Sequence, residues 1–131
     1  MDTVMTLYHV WFSTKNRKWL LQGDIAEKVH VVMKQVASER ALRLLEMESM
    51  VDHMHLLLDA ESAIDLSRAL KLLKGRSAYE VFRAFPELKH DAHVNSLWQD
   101  GFKSRTVPPA QLEIVARYIR TQDQRLEKYE R

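Results

Sequence analysis

Two histidines separated by a single residue are the feature of this sequence most able to do chemistry. His53 and His55 lie in the run from Met50 to Leu58, which is mainly apolar and typical of a β-strand. Because side chains on a strand alternate between its faces, both imidazoles would project together and Met54 would point the opposite way into apolar packing. Neutral imidazole is a common ligand for metal ions. The pair is therefore a candidate cation site, and two half-exposed histidines without a ligand are the alternative.

A second pair of polar side chains lies near the C-terminus. After Pro108 and Pro109, residues 111–128 repeat apolar side chains at helical spacing, which predicts an amphipathic helix. Tyr118 and Gln122 are four residues apart and would share one face of it. Taken alone, a helical tyrosine is usually a core or boundary aromatic and a helical glutamine is usually solvated.

Together these motifs are similar to those of a known family. The chain resembles the single-tyrosine HUH transposases of small bacterial insertion sequences, the IS200-like superfamily, where HUH stands for His-hydrophobic-His. Besides His53-Met54-His55 and Tyr118-x-x-x-Gln122, the matching segments run in order along nearly the whole chain: Tyr8-His9-Val10-Trp11-Phe12-Ser13-Thr14-Lys15, Leu72-Leu73-Lys74-Gly75-Arg76-Ser77, Leu97-Trp98 and Thr106-Val107.

The resemblance implies a DNA strand transferase that cuts and rejoins single-stranded DNA. Tyr118 would attack phosphorus, leaving a 5′-phosphotyrosine and a free 3′-hydroxyl. An ordinary phenol has a pKa of about 10 and needs help at neutral pH. A divalent metal, magnesium or manganese, held by His53, His55 and Gln122 could polarise the phosphate. Since ester bonds are exchanged rather than hydrolysed, no nucleotide cofactor is required.

The resemblance also implies the partner and the assembly. Members of the family bind imperfect DNA hairpins at the ends of their element. They act as homodimers in which the histidine pair of one subunit meets the tyrosine helix of the other. Family members often have a glycine before that helix, whereas this chain has Pro108 and Pro109, which stiffen the connection.

Charge offers limited support for a nucleic-acid partner. The formal net charge is only +2, so the distribution of the basic residues matters more than their sum. The predicted helix 65–85 is locally basic, and its candidate DNA contacts are Lys71, Lys74 and Arg76, with Lys74 the first choice. Further cations follow the first strand (Lys15, Arg17 and Lys18) and precede the last helix (Lys103 and Arg105). A solvated charged face is the alternative for each of them.

Length and composition indicate one compact domain, residues 1–131. The chain is 46% hydrophobic, which is enough to form a core. It contains no cysteine, in keeping with a reducing compartment. No run of apolar residues predicts a membrane span or a secretory leader. We therefore expect a cytoplasmic protein without membrane contact.

The patterning predicts the order βαββαβα. Strands are expected at 4–14, 42–50, 54–59 and 102–107, and helices at 24–40, with Asp24 as N-cap, at 65–85, ending at Pro86, and at 111–128. This order is typical of an α+β, ferredoxin-like or RRM-like antiparallel sheet with an added C-terminal helix that carries Tyr118.

The remaining histidines and aromatic residues are assigned structural roles. His9, His30, His90 and His93 are expected at surface or boundary positions, and Trp11 and Trp98 mainly in the core. Asp52 could accept a hydrogen bond from a histidine ring or serve the turn.

Four alternatives to the transposase hypothesis stay open. The fold could serve a domesticated hairpin-binding protein with an inactive site, although His53, His55, Tyr118 and Gln122 are all present. It could serve a relative associated with repeated extragenic palindromes (REP). A replication initiator of the same class would be expected to be longer. A small metallohydrolase would turn over substrate without a covalent protein adduct.

Overall fold

The computed structural model describes residues 5–122 and contains a four-stranded antiparallel sheet with helices on both faces. The strands are ordered β2-β3-β1-β4 across the sheet. The elements in chain order are β1 (Thr6–Ser13), α1 (Gly23–Glu39), β2 (Leu44–Ser49), β3 (His53–Ala60), α2 (Ala63–Ala84), α3 (Leu88–Asp91), β4 (Lys103–Val107) and α4 (Leu112–Arg120). The predicted α+β, ferredoxin-like order is confirmed, and the short helix α3 is an addition to it.

Alternation along β1 and β3 gives the sheet two unlike faces. The core face carries Val10, Met54, Leu56 and Leu58, which pack with buried residues of α1 and α2 in the main hydrophobic cluster. The opposite face, which we call the histidine face, carries His9, Trp11, His53, His55 and Leu57, in register across β1 and β3. A second, smaller cluster covers part of the histidine face and consists of Leu57, Val107, Ala116 and Ile119. The sheet therefore separates the main core from the polar residues of interest.

The predicted starts of two helices, α1 and α2, need correction. Asp24 is not the N-cap of α1, because the cap position is Gln22 and Asp24 lies in the first turn, where a carboxylate complements the helix dipole. α2 begins at Ala63, two residues before the prediction, because the Ser62 hydroxyl accepts a hydrogen bond from the Asp65 amide at 3.2 Å. Ser62 is therefore the N-cap of α2.

The other helix boundaries follow the prediction more closely. α2 ends at Ala84, just before Phe85 and Pro86, as expected. Of the predicted helix 111–128, α4 occupies Leu112–Arg120, and residues 123–128 lie outside the described part of the chain. Across residues 5–122, no helix is long and apolar enough to span a bilayer.

A buried tryptophan fastens the segment between α3 and β4 to α2. Trp98 packs edge-on against Phe12 in the main core, as predicted, with ring centroids 4.9 Å apart. Its indole N–H donates to the Ser77 hydroxyl at 3.0 Å. That hydroxyl in turn donates to the Lys74 carbonyl at 3.0 Å. These hydrogen bonds therefore fix the position of the loop that follows Trp98 relative to α2.

We expect Ser77→Ala to lower the free energy of unfolding by about 1–3 kcal/mol, because it leaves the buried Trp98 N–H without its acceptor. Urea denaturation followed by far-UV circular dichroism measures the change. Ser67→Ala is the matched control, since Ser67 lies on the same helix and is exposed. Equal stabilities of the two variants would contradict a structural role for the Ser77–Trp98 hydrogen bond.

Candidate active site

The two histidines of the His-x-His motif share one face of β3, as predicted. The ring centroids of His53 and His55 lie 5.1 Å apart and the rings are nearly perpendicular. Met54 between them is fully buried on the core face. The alternation of the strand therefore delivers two imidazoles to the histidine face, and both line the same cleft.

The His53 ring is oriented by its neighbour in the chain. Its Nδ1 and the Asp52 carboxylate are 2.8 Å apart, and the second carboxylate oxygen accepts from the Arg17 Nε at 3.2 Å. Burial alone would raise the pKa of Asp52, but its hydrogen bonds and charges with His53 and Arg17 outweigh burial and lower it. An ionised Asp52 holds the proton of His53 on Nδ1, which leaves Nε2 as the ligand atom.

A third histidine, His9, belongs to the site, although a surface or boundary position was expected for it. His9 on β1 is only 3% exposed. Its Nε2 lies 2.9 Å from Nδ1 of His55. The prediction for His9 was wrong because the partner is 46 residues away, and no local spacing reveals it. The signal in the sequence was alternation along β1, which places His9 and Trp11 on one face.

Tyr118 projects from α4 towards this cluster. Its ring centroid lies 6.0 Å from that of His9 and 6.0 Å from that of His55, edge-on to both. α4 packs on the histidine face through the smaller cluster. Its last residue, Arg120, donates to the carboxylates of Glu46 on β2 at 2.6 Å and of Glu113 at 3.0 Å. Apolar packing and these ion pairs hold the phenol beside the histidines of the same chain.

Gln122 follows Tyr118 by one turn. Its amide nitrogen donates to the Tyr118 carbonyl at 3.1 Å. The amide oxygen is therefore the atom of Gln122 that could ligate a cation. Gln122 and Tyr118 are both half-buried.

Burial keeps two of these imidazoles neutral. It is the main reason that the pKa of His55 falls to about 4, and the positive charges that His53 and His9 can carry lower it further. Burial, followed by the charge of Arg105, also lowers the pKa of His9. At neutral pH these rings are uncharged, the state in which imidazole binds metals.

The donor set fits a divalent metal in part. His53 and His55 each present an Nε2, because their Nδ1 atoms are engaged by Asp52 and His9. Within residues 5–122, however, no three side chains among His, Cys, Asp and Glu form a group that could hold a metal ion. A cation bound here needs oxygen ligands such as Gln122 or the substrate itself.

A cleft of about 520 Å³ opens beside the two histidines. Trp11 and Phe102 supply aromatic surface to it, and the loop 99–101 forms part of its wall. Trp11 is thus half-buried at the cleft rather than in the core, which corrects the prediction. The Arg105 guanidinium lies 5.8 Å from the centroid of the Trp11 indole. Aromatic surface with a cation beside it suits an unpaired nucleotide.

The structure places the three predicted DNA contacts differently from one another. The Lys74 ammonium donates to the carbonyls of Gln99 at 2.9 Å and of Gly101 at 2.7 Å. Lys74 therefore holds the loop 99–101, which forms part of the cleft wall, against α2. Burial lowers the pKa of Lys74. Arg76 lies 3.5 Å from the Glu39 carboxylate, and Lys71 is exposed. Contact of any of the three with DNA stays a prediction.

Comparison with known proteins identifies relatives of the whole fold. The family model described as "Transposase IS200 like" matches residues 3–122. The ISDra2 transposase TnpA of Deinococcus radiodurans is 32% identical over 115 residues, which cover 88% of this chain and 82% of that protein. The transposase for insertion sequence element IS200 of Salmonella typhimurium is 28% identical over 100 residues, covering 76% of this chain and 66% of the relative.

Two solved structures share the architecture. A transposase structure from Deinococcus radiodurans superimposes with a TM-score of 0.72 at 30% identity, covering 92% of this chain and 93% of the other. A REP-associated tyrosine transposase bound to a REP hairpin superimposes with a TM-score of 0.67 at 13% identity, covering 95% and 71%. The second likeness shows the fold alone.

We expect the metal-free protein to lose stability as the pH falls from about 6.5 towards 4. The pKa of His55 is about 4 in the folded chain against an ordinary 6.5, so between these values the unfolded chain binds a proton that the folded chain does not. The loss is of the order of 2–3 kcal/mol. Urea unfolding in the presence of a chelator across this pH range measures it.

The pH dependence should become shallower in His55→Gln. His90→Gln is the control and should keep the wild-type dependence, because the His90 side chain is 91% exposed. If the unfolding free energy of the wild type depends on pH no more steeply than that of His55→Gln, His55 does not titrate with a lowered pKa.

Proposed function

Because the chain belongs to the IS200-like transposase family, we propose that it cleaves and rejoins single-stranded DNA through a 5′-phosphotyrosine formed on Tyr118. One observation carries the proposal. The phenol of Tyr118 lies edge-on to His55 and His9, and His55 lines an open cleft together with His53. A nucleophile, two imidazoles that can bind a metal and an open cleft are the parts that this chemistry needs.

The proposed reaction exchanges one ester bond for another. The Tyr118 oxygen attacks phosphorus and loses its proton, while the bond from phosphorus to the 3′ oxygen breaks and that oxygen gains a proton. The downstream strand stays attached to Tyr118 through its 5′ phosphate. In the second step a strand with a free 3′-hydroxyl attacks the phosphotyrosine and releases the phenol. No oxidant, reductant or nucleotide is consumed.

His53 and His55, with the amide oxygen of Gln122, would hold the divalent metal, magnesium or manganese. When bound, it would neutralise charge on the scissile phosphate. Two imidazoles favour manganese over magnesium, which prefers oxygen ligands. The contribution of the surrounding side chains is orientation: Asp52 fixes the His53 ring and His9 fixes the His55 ring. Such outer partners typically contribute 10- to 100-fold in metal affinity or activity.

The proposed substrate is a DNA hairpin with an adjoining single strand. Arg17 and Lys103 line the cleft beside Trp11, so phosphates and an unpaired base could be held together there. The solved REP-associated tyrosine transposase bound to a REP hairpin has the same fold, and hairpins are therefore the first probe. Hairpin binding without chemistry, and metal-dependent hydrolysis without an adduct, are the competing functions.

We expect Tyr118→Phe to abolish covalent attachment to DNA and to leave hairpin binding nearly unchanged, because only the attacking oxygen is lost. The assay is an SDS-resistant protein–DNA band formed with a labelled hairpin carrying a single-stranded flank. Tyr8→Phe is the matched control, since Tyr8 packs against the main core and should keep the adduct. A chelator should remove the adduct from the wild-type protein.

A normal adduct yield from Tyr118→Phe would reject Tyr118 as the nucleophile. Strand cleavage by the wild type without any adduct would favour a metallohydrolase. Hairpin binding by the wild type without cleavage would favour a binding protein.

The homodimer implied by the family resemblance raises the question of which chain supplies the tyrosine. In the structure one chain places Tyr118 beside its own His55. Pro108, with φ −59°, and Pro109, in the first turn that follows, lead into α4, and two rings in succession restrict the connection. This geometry supports a site completed within one chain.

We therefore expect a mixture of Tyr118→Phe chains with His53→Ala, His55→Ala double-variant chains to stay at background activity after subunit exchange, because each site lacks an essential group. Heterodimers are verified with differently tagged chains. Recovery towards about half of wild-type activity per mixed dimer would show instead that the α4 helices exchange between subunits.

A further inference from the structure

The turn between β1 and α1 contains two adjacent residues in a conformation that L-amino acids rarely adopt. Asn16 has φ 57° and ψ 24°, and Arg17 has φ 53°. Asparagine tolerates this left-handed region because its short polar side chain can hydrogen-bond locally, whereas arginine has no such compensation and its Cβ is crowded by the carbonyl. A strained conformation of this kind persists only where the surrounding structure determines it.

The surrounding structure does fix this turn, which comprises residues 14–18. Thr14 is fully buried, and its hydroxyl donates to the Lys18 carbonyl at 2.6 Å, which closes the turn. The Asn16 amide donates to the side-chain oxygen of Gln99, on the loop that forms part of the cleft wall, at 3.2 Å. The conformation of the turn is therefore determined by contacts at its ends and from a distant segment.

The side chain of Arg17 reaches the candidate active site. Its Nε donates to one carboxylate oxygen of Asp52 at 3.2 Å, and the other oxygen of Asp52 lies 2.8 Å from Nδ1 of His53. One carboxylate therefore holds a guanidinium beside the histidine pair. Arg17, His53 and His55 line the same cleft.

Stability does not account for an arginine at this position. The ion pair with Asp52 is largely open to solvent, since the Arg17 side chain is 66% exposed, and such pairs contribute little to folding. The left-handed backbone costs an ordinary residue more than that. Within residues 5–122, the hydrogen bonds of the Arg17 guanidinium involve Nε alone. Both terminal nitrogens therefore keep their N–H groups for a partner in the cleft.

We propose that Arg17 is a catalytic residue whose terminal N–H groups donate to a non-bridging oxygen of the scissile phosphate while its Nε remains on Asp52. The inference rests on the proposed function, because it takes the cleft to hold the phosphate that Tyr118 attacks. As the phenol oxygen adds to phosphorus, the non-bridging oxygens gain negative charge. A guanidinium placed there in advance stabilises that charge most in the transition state. The strained turn is what places it.

The first test compares Arg17→Gln with Arg40→Gln. Both variants lose one positive charge, but Arg40 is exposed at the C-terminal end of α1 and does not line the cleft. We expect Arg17→Gln to slow adduct formation at saturating DNA by about 100-fold. The Kd for the labelled hairpin should change far less, because the guanidinium acts mainly on the transition state. Arg40→Gln should match the wild type. A wild-type rate in Arg17→Gln, an equal loss in both variants or a loss confined to the Kd would overturn the proposal.

Sulfur substitution at the scissile phosphate separates direct contact from a structural role through Asp52. Sulfur accepts hydrogen bonds less well than oxygen, so replacing the contacted oxygen weakens a direct contact with Arg17 and leaves an indirect effect unchanged. We expect one phosphorothioate diastereomer to slow the wild type by about tenfold and Arg17→Gln far less, since the variant has no contact left to weaken. Equal effects of sulfur on the two proteins, or no effect on the wild type, would overturn the proposal.

Arg17→Gly tests whether the turn is strained for the sake of the side chain. Glycine adopts φ 53° without a steric penalty, and neither Arg17→Gly nor Arg17→Gln keeps the ion pair with Asp52. The melting temperature of Arg17→Gly should therefore exceed that of Arg17→Gln by a few degrees. Its rate of adduct formation should nevertheless be as low. A lower melting temperature than that of Arg17→Gln, or a wild-type rate, would overturn the proposal.

The outcomes separate this inference from the proposed function. Normal adduct formation by both the wild type and Arg17→Gln would reject the role of Arg17 and leave the Tyr118 chemistry intact. Strand cleavage without an adduct, slowed in Arg17→Gln with the sulfur effect lost, would support the contact of Arg17 with the phosphate and reject the phosphotyrosine. A wild type that neither cleaves the hairpin substrate nor forms an adduct would overturn both.

Discussion

The pairing of β1 with β3 is the constraint on which the rest of the structure depends. Its register places Trp11 opposite His55 and Phe12 opposite Met54, so each strand divides its side chains between the core face and the histidine face. A slip by one residue would turn the histidines into the core and expose Met54 and its apolar neighbours. The large free-energy cost of that exchange is what fixes the site, since the apolar residues of the core face determine where the imidazoles point.

Burial at the histidine face is tolerated because the polar atoms there have partners. His9 and His55 satisfy each other, Asp52 meets His53 and Arg17, and within residues 5–122 no buried side-chain nitrogen or oxygen lacks a hydrogen bond. A buried imidazole that is hydrogen-bonded and neutral costs far less than a charged one. The same hydrogen bonds give each histidine a defined orientation. The contacts that make burial of these rings tolerable therefore also preorganise the site.

Local patterns in the sequence predicted most of the fold and the central residues of the site. Strand alternation placed His53 and His55 together, and helical spacing placed Tyr118 on the face of a helix. The His9–His55 contact could not be predicted in this way, because it depends on a register between distant strands. The loop contacts of Lys74 were likewise invisible, since charge patterning shows that a lysine lies on a basic helix but not that carbonyls from another segment fold over it. The Ser62 cap was missed because Asp65, where the predicted helix begins, is also a residue type that suits the start of a helix.

The two hydrophobic clusters divide the elements of the fold unequally. α4 contributes Ala116 and Ile119 to the smaller cluster, while the main core is built from the sheet, α1, α2 and the segment around Trp98. The residues of the main core and both histidines of the motif all precede Leu112, whereas Tyr118 follows it. Tyr118 is therefore held by a packing unit of its own, and a cavity made at Ile119 would loosen the phenol while leaving the main core intact.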